Sequence, residues 1–325
     1  MSRSDGRVQL SLGVHVGQQN ATMAELMALW TRLDDIVDWI SVWDHLYEAP
    51  PAGGTTPHFE AVATLGALAS VTQSARLGCL MFCVPYRNPA LLAKACVAID
   101  HISGGRFEPG FGAGWHEPEF RAHGYDFDDV NVRFDILTEG LEIICSMLSG
   151  NGPETTTTFH GEHSRVDAVT CVPGPYDGAM PLWTGGRGRT RTPENAARFC
   201  SGWNVAYVDP SEFRRLNARV DAACEAIGRE PATLERSVNL AFHLGATAAD
   251  AQAELDRIQE QWGPEIAPRV TGGALTGTPD RAVERIAEYR DAGADLVNVA
   301  LRLPVHADAL EAYLTEVVPA ARTIS

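Results

Sequence analysis

The chain is poor in positive charge and nearly without lysine. Lys94 is the only lysine among 26 basic residues, against 42 acidic ones, for a formal net charge of −16 at pH 7. Nonspecific binding to nucleic acid depends on neutralising phosphates with Lys and Arg, so this balance argues against a nucleic-acid partner. No apolar run approaches the roughly 20 residues that cross a bilayer, and no membrane association is expected. The first residues, Met1 to Arg7, are polar and lack the apolar segment of a secretory signal, so the expected location is the cytoplasm. The seven cysteines (Cys79, Cys83, Cys96, Cys145, Cys171, Cys200, Cys224) include no C-x-x-C pair, and buried thiols are the plain reading. No Pro/Ser-rich linker or low-complexity run divides the 325 residues, so one domain spanning 1–325 is expected. H-E-x-x-H and G-x-S-x-G are absent, and His15-Val16-Gly17 stands where a metal-dependent hydrolase barrel would show H-x-H at the end of the first strand. Hydrolysis ranks low, and no metal is expected.

What is present is a rhythm. Extended patterns at 8–16, 36–43, 76–84, 106–112, 181–185, 202–208, 236–245 and 295–302 alternate with amphipathic helical patterns at 22–34, 58–74, 88–102, 131–149, 191–200, 211–228, 248–262, 279–292 and 306–322. Such alternation predicts parallel βα units closed into a (β/α)8 barrel, a TIM barrel in the α/β class. Two stretches break the rhythm. Residues 150–180 hold the Thr155–Thr158 run and an alternating Phe159-to-Val172 segment suited to a hairpin, and 263–278 hold Gly263-Pro264, Gly272-Gly273 and Gly277. Insertions of this kind between a strand and the next element can form lids.

Barrel enzymes place their chemistry at the C-terminal ends of the strands, which directs attention to particular residues. Arg106 to Glu117 runs from a strand into a Gly/Trp/His/Glu loop, and Gly110, Gly112 and Gly114 at every second position imply close approach of a backbone or a flat ligand. Trp43-Asp44-His45 ends the second strand, where His45 is the first catalytic candidate because imidazole exchanges protons near neutral pH. Gly185-Gly186-Arg187-Gly188 precedes a helix, and its backbone amides, helix N-terminus and guanidinium groups suit a phosphate. Cys83 lies near a strand end. His116 and Glu117 are candidates for a second acid or base, while Tyr86-Arg87-Asn88-Pro89 is explained by helix capping. His15 and His243 end or approach strand ends and face either the mouth or a neighbouring helix.

Together, Trp43-Asp44-His45, Leu77-Gly78 through Cys83 to Pro89, Asp100-His101-Ile102-Ser103-Gly104-Gly105-Arg106, Gly112-Ala113-Gly114-Trp115-His116-Glu117, Arg133-Phe134-Asp135, Gly202-Trp203-Asn204, Gly277-Thr278-Pro279 and Asp291 to Asp295 resemble the luciferase-like monooxygenase superfamily. The branch most similar is that of bacterial oxidoreductases using the deazaflavin coenzyme F420. The resemblance implies a homodimer acting on a small organic substrate by hydride transfer at the C-terminal face. It implies that Asp44 and His45 lie beside the deazaflavin, His45 handling the proton. It also implies that Leu80, Met81, Phe82 and Cys83 form a bulge, often with a non-prolyl cis peptide, that backs the ring. Gly112, Ala113, Gly114 and Trp115 would run along it, and Gly185, Gly186 and Arg187 would hold phosphate. The chain departs from the pattern at Pro109, at Gly188-Arg189-Thr190-Arg191, and in the bulk of Leu80, Met81 and Phe82. An FMN-dependent monooxygenase using O2 is the alternative, and a non-catalytic flavin- or deazaflavin-binding protein is a third reading.

Overall fold

A computed structural model describes residues 9–48, 54–149 and 155–324. In chain order the strands are β1 (Ser11–Val16), β2 (Trp39–Val42), β3 (Arg76–Cys83), β4 (Phe107–Gly112), β5 (Thr156–His160), β6 (Arg165–Thr170), β7 (Trp183–Gly185), β8 (Gly202–Ala206), β9 (Glu235–Leu244), β10 (Ala274–Gly277) and β11 (Leu296–Leu301). The helices are α1 (Met23–Leu33), α2 (Ala61–Val71), α3 (Pro89–Ser103), α4 (Glu117–Ala122), α5 (Val130–Ser149), α6 (Arg191–Phe199), α7 (Pro210–Ala226), α8 (Ala248–Gly272), α9 (Pro279–Asp291), α10 (Ala307–Ala312) and α11 (Val318–Ala321).

Strands β1, β2, β3, β4, β7, β8, β9 and β11 pair in that order, all parallel, and β11 pairs back onto β1, closing an eight-stranded barrel. The eight extended runs read from the sequence coincide with these strands within three residues at either end. Burial on both faces explains why β1 and β11 read as nearly unbroken apolar runs. Leu12 and Val14 belong to the core beneath the helices, while the alternate Gly13 faces inward, where a Cβ would meet Asn298 Oδ1 and Trp39.

The barrel interior is filled in layers. At the N-terminal end Trp39 and Trp183 meet edge-to-face at 5.2 Å, and Gly78 and Gly202 leave room for their rings. Arg76 reaches Glu235 at 2.7 and 2.9 Å and Glu108 at 3.3 Å, Trp183 Nε1 donates to Glu108 at 2.8 Å, and the Arg76 guanidinium lies over the Trp39 ring. Above this plug Asn204 and Asn298 both donate to Ser237 and Asn239.

The two interruptions acquire structure. Strands β5 and β6 form an antiparallel hairpin that begins at Thr156, so it takes in most of the threonine run as well as the alternating segment. Residues 263–278 are helix and strand rather than a glycine loop. Gly263, at φ 69°, turns the axis of α8, Pro264 fits the first turn of the second arm, and β10 then pairs with the C-terminal half of β9.

Candidate active site at the C-terminal mouth of the barrel

His45 follows β2, and its Nδ1 lies 2.9 and 3.0 Å from the carboxylate oxygens of Glu119 on α4. Glu119 is buried and also accepts from the backbone N–H of Leu46 and Tyr47 and from the Tyr86 hydroxyl. Burial alone would raise its pKa, but the His45 hydrogen bond and charge, the Tyr47 N–H and nearby His116 outweigh that and hold it below the usual carboxylate range. An ionised partner at Nδ1 fixes the proton there. No described residue hydrogen-bonds His45 Nε2. The ring is bracketed by Trp43, Trp115 and His116, with centroids at 6.1, 5.6 and 6.2 Å, and Trp115 is 62% exposed above it.

Asp44 points the other way. Its carboxylate takes both Nη atoms of Arg87, at 2.5 and 2.8 Å, and the N–H of Cys83 at 2.8 Å. Burial pushes its pKa up and the guanidinium opposes this; the bidentate fork marks a charged pair that ties β2 to the end of β3. Arg87 also reaches Glu60, the N-cap of α2, so its role extends beyond the capping segment in which it lies.

In β3 the Leu80–Met81 peptide bond is cis, and the register with β4 shifts between Cys79 and Phe82. Leu80 packs with Trp39, Trp183 and Leu296, Phe82 points outward into the core beside Phe111, and Met81 is the partly exposed member. The glycines of β4 answer to this bulge. A Cβ on Gly110 would lie 2.3 Å from Met81 Sδ, one on Gly112 3.3 Å from Met81 Cβ, and one on Gly185 2.6 Å from Met81 Cε. Gly114, at φ 74°, passes Phe120 and the Cys83 thiol. The close approach signalled by the glycine spacing is therefore made by the protein's own β3 and α4. Cys83 is buried beside Tyr86 and Phe120, and burial raises its thiol pKa well above the usual range.

After β7, Gly186 (φ 125°) and Gly188 lead into α6. Thr192, in the first turn of α6, is buried, and its Oγ1 has no hydrogen-bond partner among the described residues; a Cβ on Gly188 would sit 2.4 Å from that oxygen. Arg187 turns to the end of β8, where it donates to the carbonyls of Ala206 and Tyr207, and Arg191 pairs with Asp135. Ala113 packs at the edge of the core, and His116 caps α4 without a side-chain bond. Glu117 is exposed and pairs with Arg121 at 2.7 Å. The buried acid of this segment is Glu119, which the sequence reading passed over. The available signal was Pro118, in the first turn of α4, where Glu117 stays in solvent while Glu119 and Phe120 turn inward.

A family model described as luciferase-like monooxygenase matches residues 39–296. An F420-dependent hydroxymycolic acid dehydrogenase of Mycobacterium tuberculosis is 28% identical over 256 residues, 77% of this chain and 65% of that protein. An FMNH2-dependent dimethylsulfone monooxygenase of Pseudomonas fluorescens is 26% identical over 270 residues, 73% of this chain and 71% of that protein. Curated mycobacterial relatives matching at 30% identity do so over 173 residues, and the chain spans 57% of their length. The fold superposes on an F420-dependent secondary alcohol dehydrogenase solved with an F420–acetone adduct, with TM-score 0.84, 16% identity, and 96% and 99% of the two chains covered.

Proposed function

The chain belongs to the luciferase-like monooxygenase family, and from that premise we propose that it is an oxidoreductase that uses coenzyme F420 to exchange a hydride with a small organic substrate at the C-terminal mouth. The observation that carries this reading is His45, seated at the mouth with Nδ1 on the buried Glu119 carboxylate and Nε2 without a described partner. The chain's residues suit a phosphate-bearing redox cofactor. Thr192 Oγ1 is a buried hydroxyl without a partner among the described residues, and it faces a turn kept bare by Gly188 at the start of α6.

Gly185, Gly186, Gly188 and Thr192 would hold the phosphate, while Met81, on the bulge above Gly110 and Gly112, would support the ring. When bound, the deazaflavin supplies two-electron exchange as hydride, the hard step that the protein itself does not perform. His45 Nε2 gives or takes the proton that accompanies the change at the substrate's oxygen or carbon. Glu119 keeps Nδ1 protonated and the imidazole in one orientation, and it stabilises the ring when Nε2 gains a proton. Asp44, locked to Arg87 and the Cys83 N–H, positions the end of β2 against β3. Trp43 and Trp115 flank the imidazole and hold its orientation.

The second reading is an FMN-dependent monooxygenase, supported by the Pseudomonas relative, whose identity and coverage are close to those of the F420-dependent one. Parallel titrations of the protein with F420 and with FMN, in both redox states and followed by cofactor fluorescence, decide between them. Tight F420 binding with weak FMN binding is the expected outcome; the reverse moves the assignment to oxygen chemistry, and failure of both removes the redox reading.

A further inference from the structure

Beside the His45 half of the mouth lies a cavity of about 610 Å³ in which the proton-handling groups take no part. It opens where β8, β9 and β11 end, beneath α8. Its size is that of a pocket for a small organic ligand. It connects to the His45 cluster through a chain of neighbours: Ala300 in its wall is the register partner of His15, whose ring meets Trp43 at 5.3 Å, and Trp43 in turn flanks His45.

Its charge runs against that of the molecule. Arg187, Arg257, Arg269 and Arg302 line it, and among the described residues Glu254 is the one lining carboxylate, in a chain of net charge −16. Glu254 is already engaged by Arg257 and by His243, so it does not neutralise Arg187 or Arg269. Arg187 donates only to neutral carbonyls and keeps its full charge. Burial lowers the Arg187 pKa, Glu212 opposes this, and Arg269, on the α8 wall of the same cavity, adds a smaller lowering. His243 is likewise lowered, by burial first and then by Arg257 and Arg302, against Glu254. The remaining wall is apolar. Ile266, Arg269 and Val270 follow the kink of α8 at helical spacing and share one face with each other, next to Trp262.

A surface on which guanidinium groups outnumber carboxylates, set beside an apolar wall, selects an anion with a hydrocarbon body, since guanidinium forks match carboxylate and phosphate oxygens. We propose that this cavity is the subsite for the acid group of an organic anion, a carboxylate or a phosphate ester, whose apolar body lies along Trp262, Ile266 and Val270. As a substrate subsite it rests on the oxidoreductase reading of the mouth and names the substrate class for it. The same acid chemistry occurs in the tail of a phosphorylated cofactor, so the test separates the two sources.

The full chain is titrated calorimetrically with phenyl phosphate, benzoate and the neutral benzyl alcohol, without cofactor and again after saturation with F420 or FMN. The expected result is binding of both anions, weakened several-fold by added salt, with benzyl alcohol at least tenfold weaker and phenyl phosphate retained in cofactor-loaded protein. Arg269 is exposed, so Arg269→Gln and Arg269→Glu keep the fold; each should weaken phenyl phosphate about tenfold or more and leave cofactor binding unchanged. Equal binding of benzyl alcohol, or anion binding indifferent to Arg269, overturns the proposal. Displacement of phenyl phosphate by the cofactor, together with weaker cofactor binding by Arg269→Gln, assigns the cavity to the cofactor and overturns the substrate subsite. Anion binding as expected with no binding of either cofactor supports the anion site and overturns the redox reading alone.

Discussion

At the N-terminal end of the barrel, Arg76 is closed between Glu108 and Glu235 and under the Trp183 N–H–Glu108 bond, with Trp39 against the guanidinium. At the C-terminal mouth, among the described residues, His45 is bonded on one nitrogen only and Thr192 Oγ1 has no partner, and Arg187 and Arg269 line one cavity without an ion pair of their own to a carboxylate that lines it. The same residue types serve both ends. In the plug each charge finds its partner inside the protein, and the result is a stopper between strands. In the mouth the geometry leaves donors and acceptors over, and a ligand can complete them. The distinction between structural and functional charge in this molecule is thus one of completion.

The sharpest break in that comparison is expected at His45. His45→Ala should lower kcat by about 10²- to 10⁴-fold with cofactor affinity, read by fluorescence titration, unchanged. Glu119→Gln should lower kcat by about tenfold or more at constant KM, with partial rescue by Glu119→Asp, because it acts through His45. At the other end, Arg76→Ala leaves two carboxylates facing each other and should cost about 3 kcal/mol in urea unfolding, while cofactor binding per folded molecule stays the same. An effect on binding there would erase the contrast between the two ends.

Acid should loosen the mouth first. Burial, with charge from His45 and Arg302, lowers the pKa of His15 to about 3, and burial, with His45, lowers that of His58 to about 4. Both are neutral in the fold, and the unfolded chain takes up these protons near pH 6.5, so stability is whole above pH 6.5 and declines as pH falls toward the folded values. His15 alone should remove about 2 kcal/mol by pH 5, visible as a falling urea midpoint that His15→Gln flattens. The smallest expected effect is Trp183→Phe, which deletes one hydrogen bond to Glu108 and should cost about 1 kcal/mol with turnover unchanged.

Much of this was legible in the sequence. Burial on both faces writes parallel strands as apolar runs, and caps such as Thr22 with Glu25, Asn88 with Pro89 and Asp209 with Pro210 write the helix starts. The Trp43-Asp44-His45 and Gly185-Gly186 segments were readable because barrel connectivity sends strand ends to one face. Gly110, Gly112 and Gly114 announced a close approach, but only the fold shows that Met81, Phe120 and Cys83 are what approaches.

The sequence by itself determined the order of strands and helices, the closed barrel, and the face on which His45 lies, because these follow from local periodicity and from chain direction. Tertiary structure alone decided that Glu119 rather than Glu117 meets His45, that Asp44 turns to Arg87, and that residues after Gly263 form a helix walling an arginine-lined cavity. The two side-chain meetings join residues 43 and 74 positions apart. No local pattern records such a meeting; closure of the sheet brings the groups together, and burial then sets which charges are paired and which remain to bind.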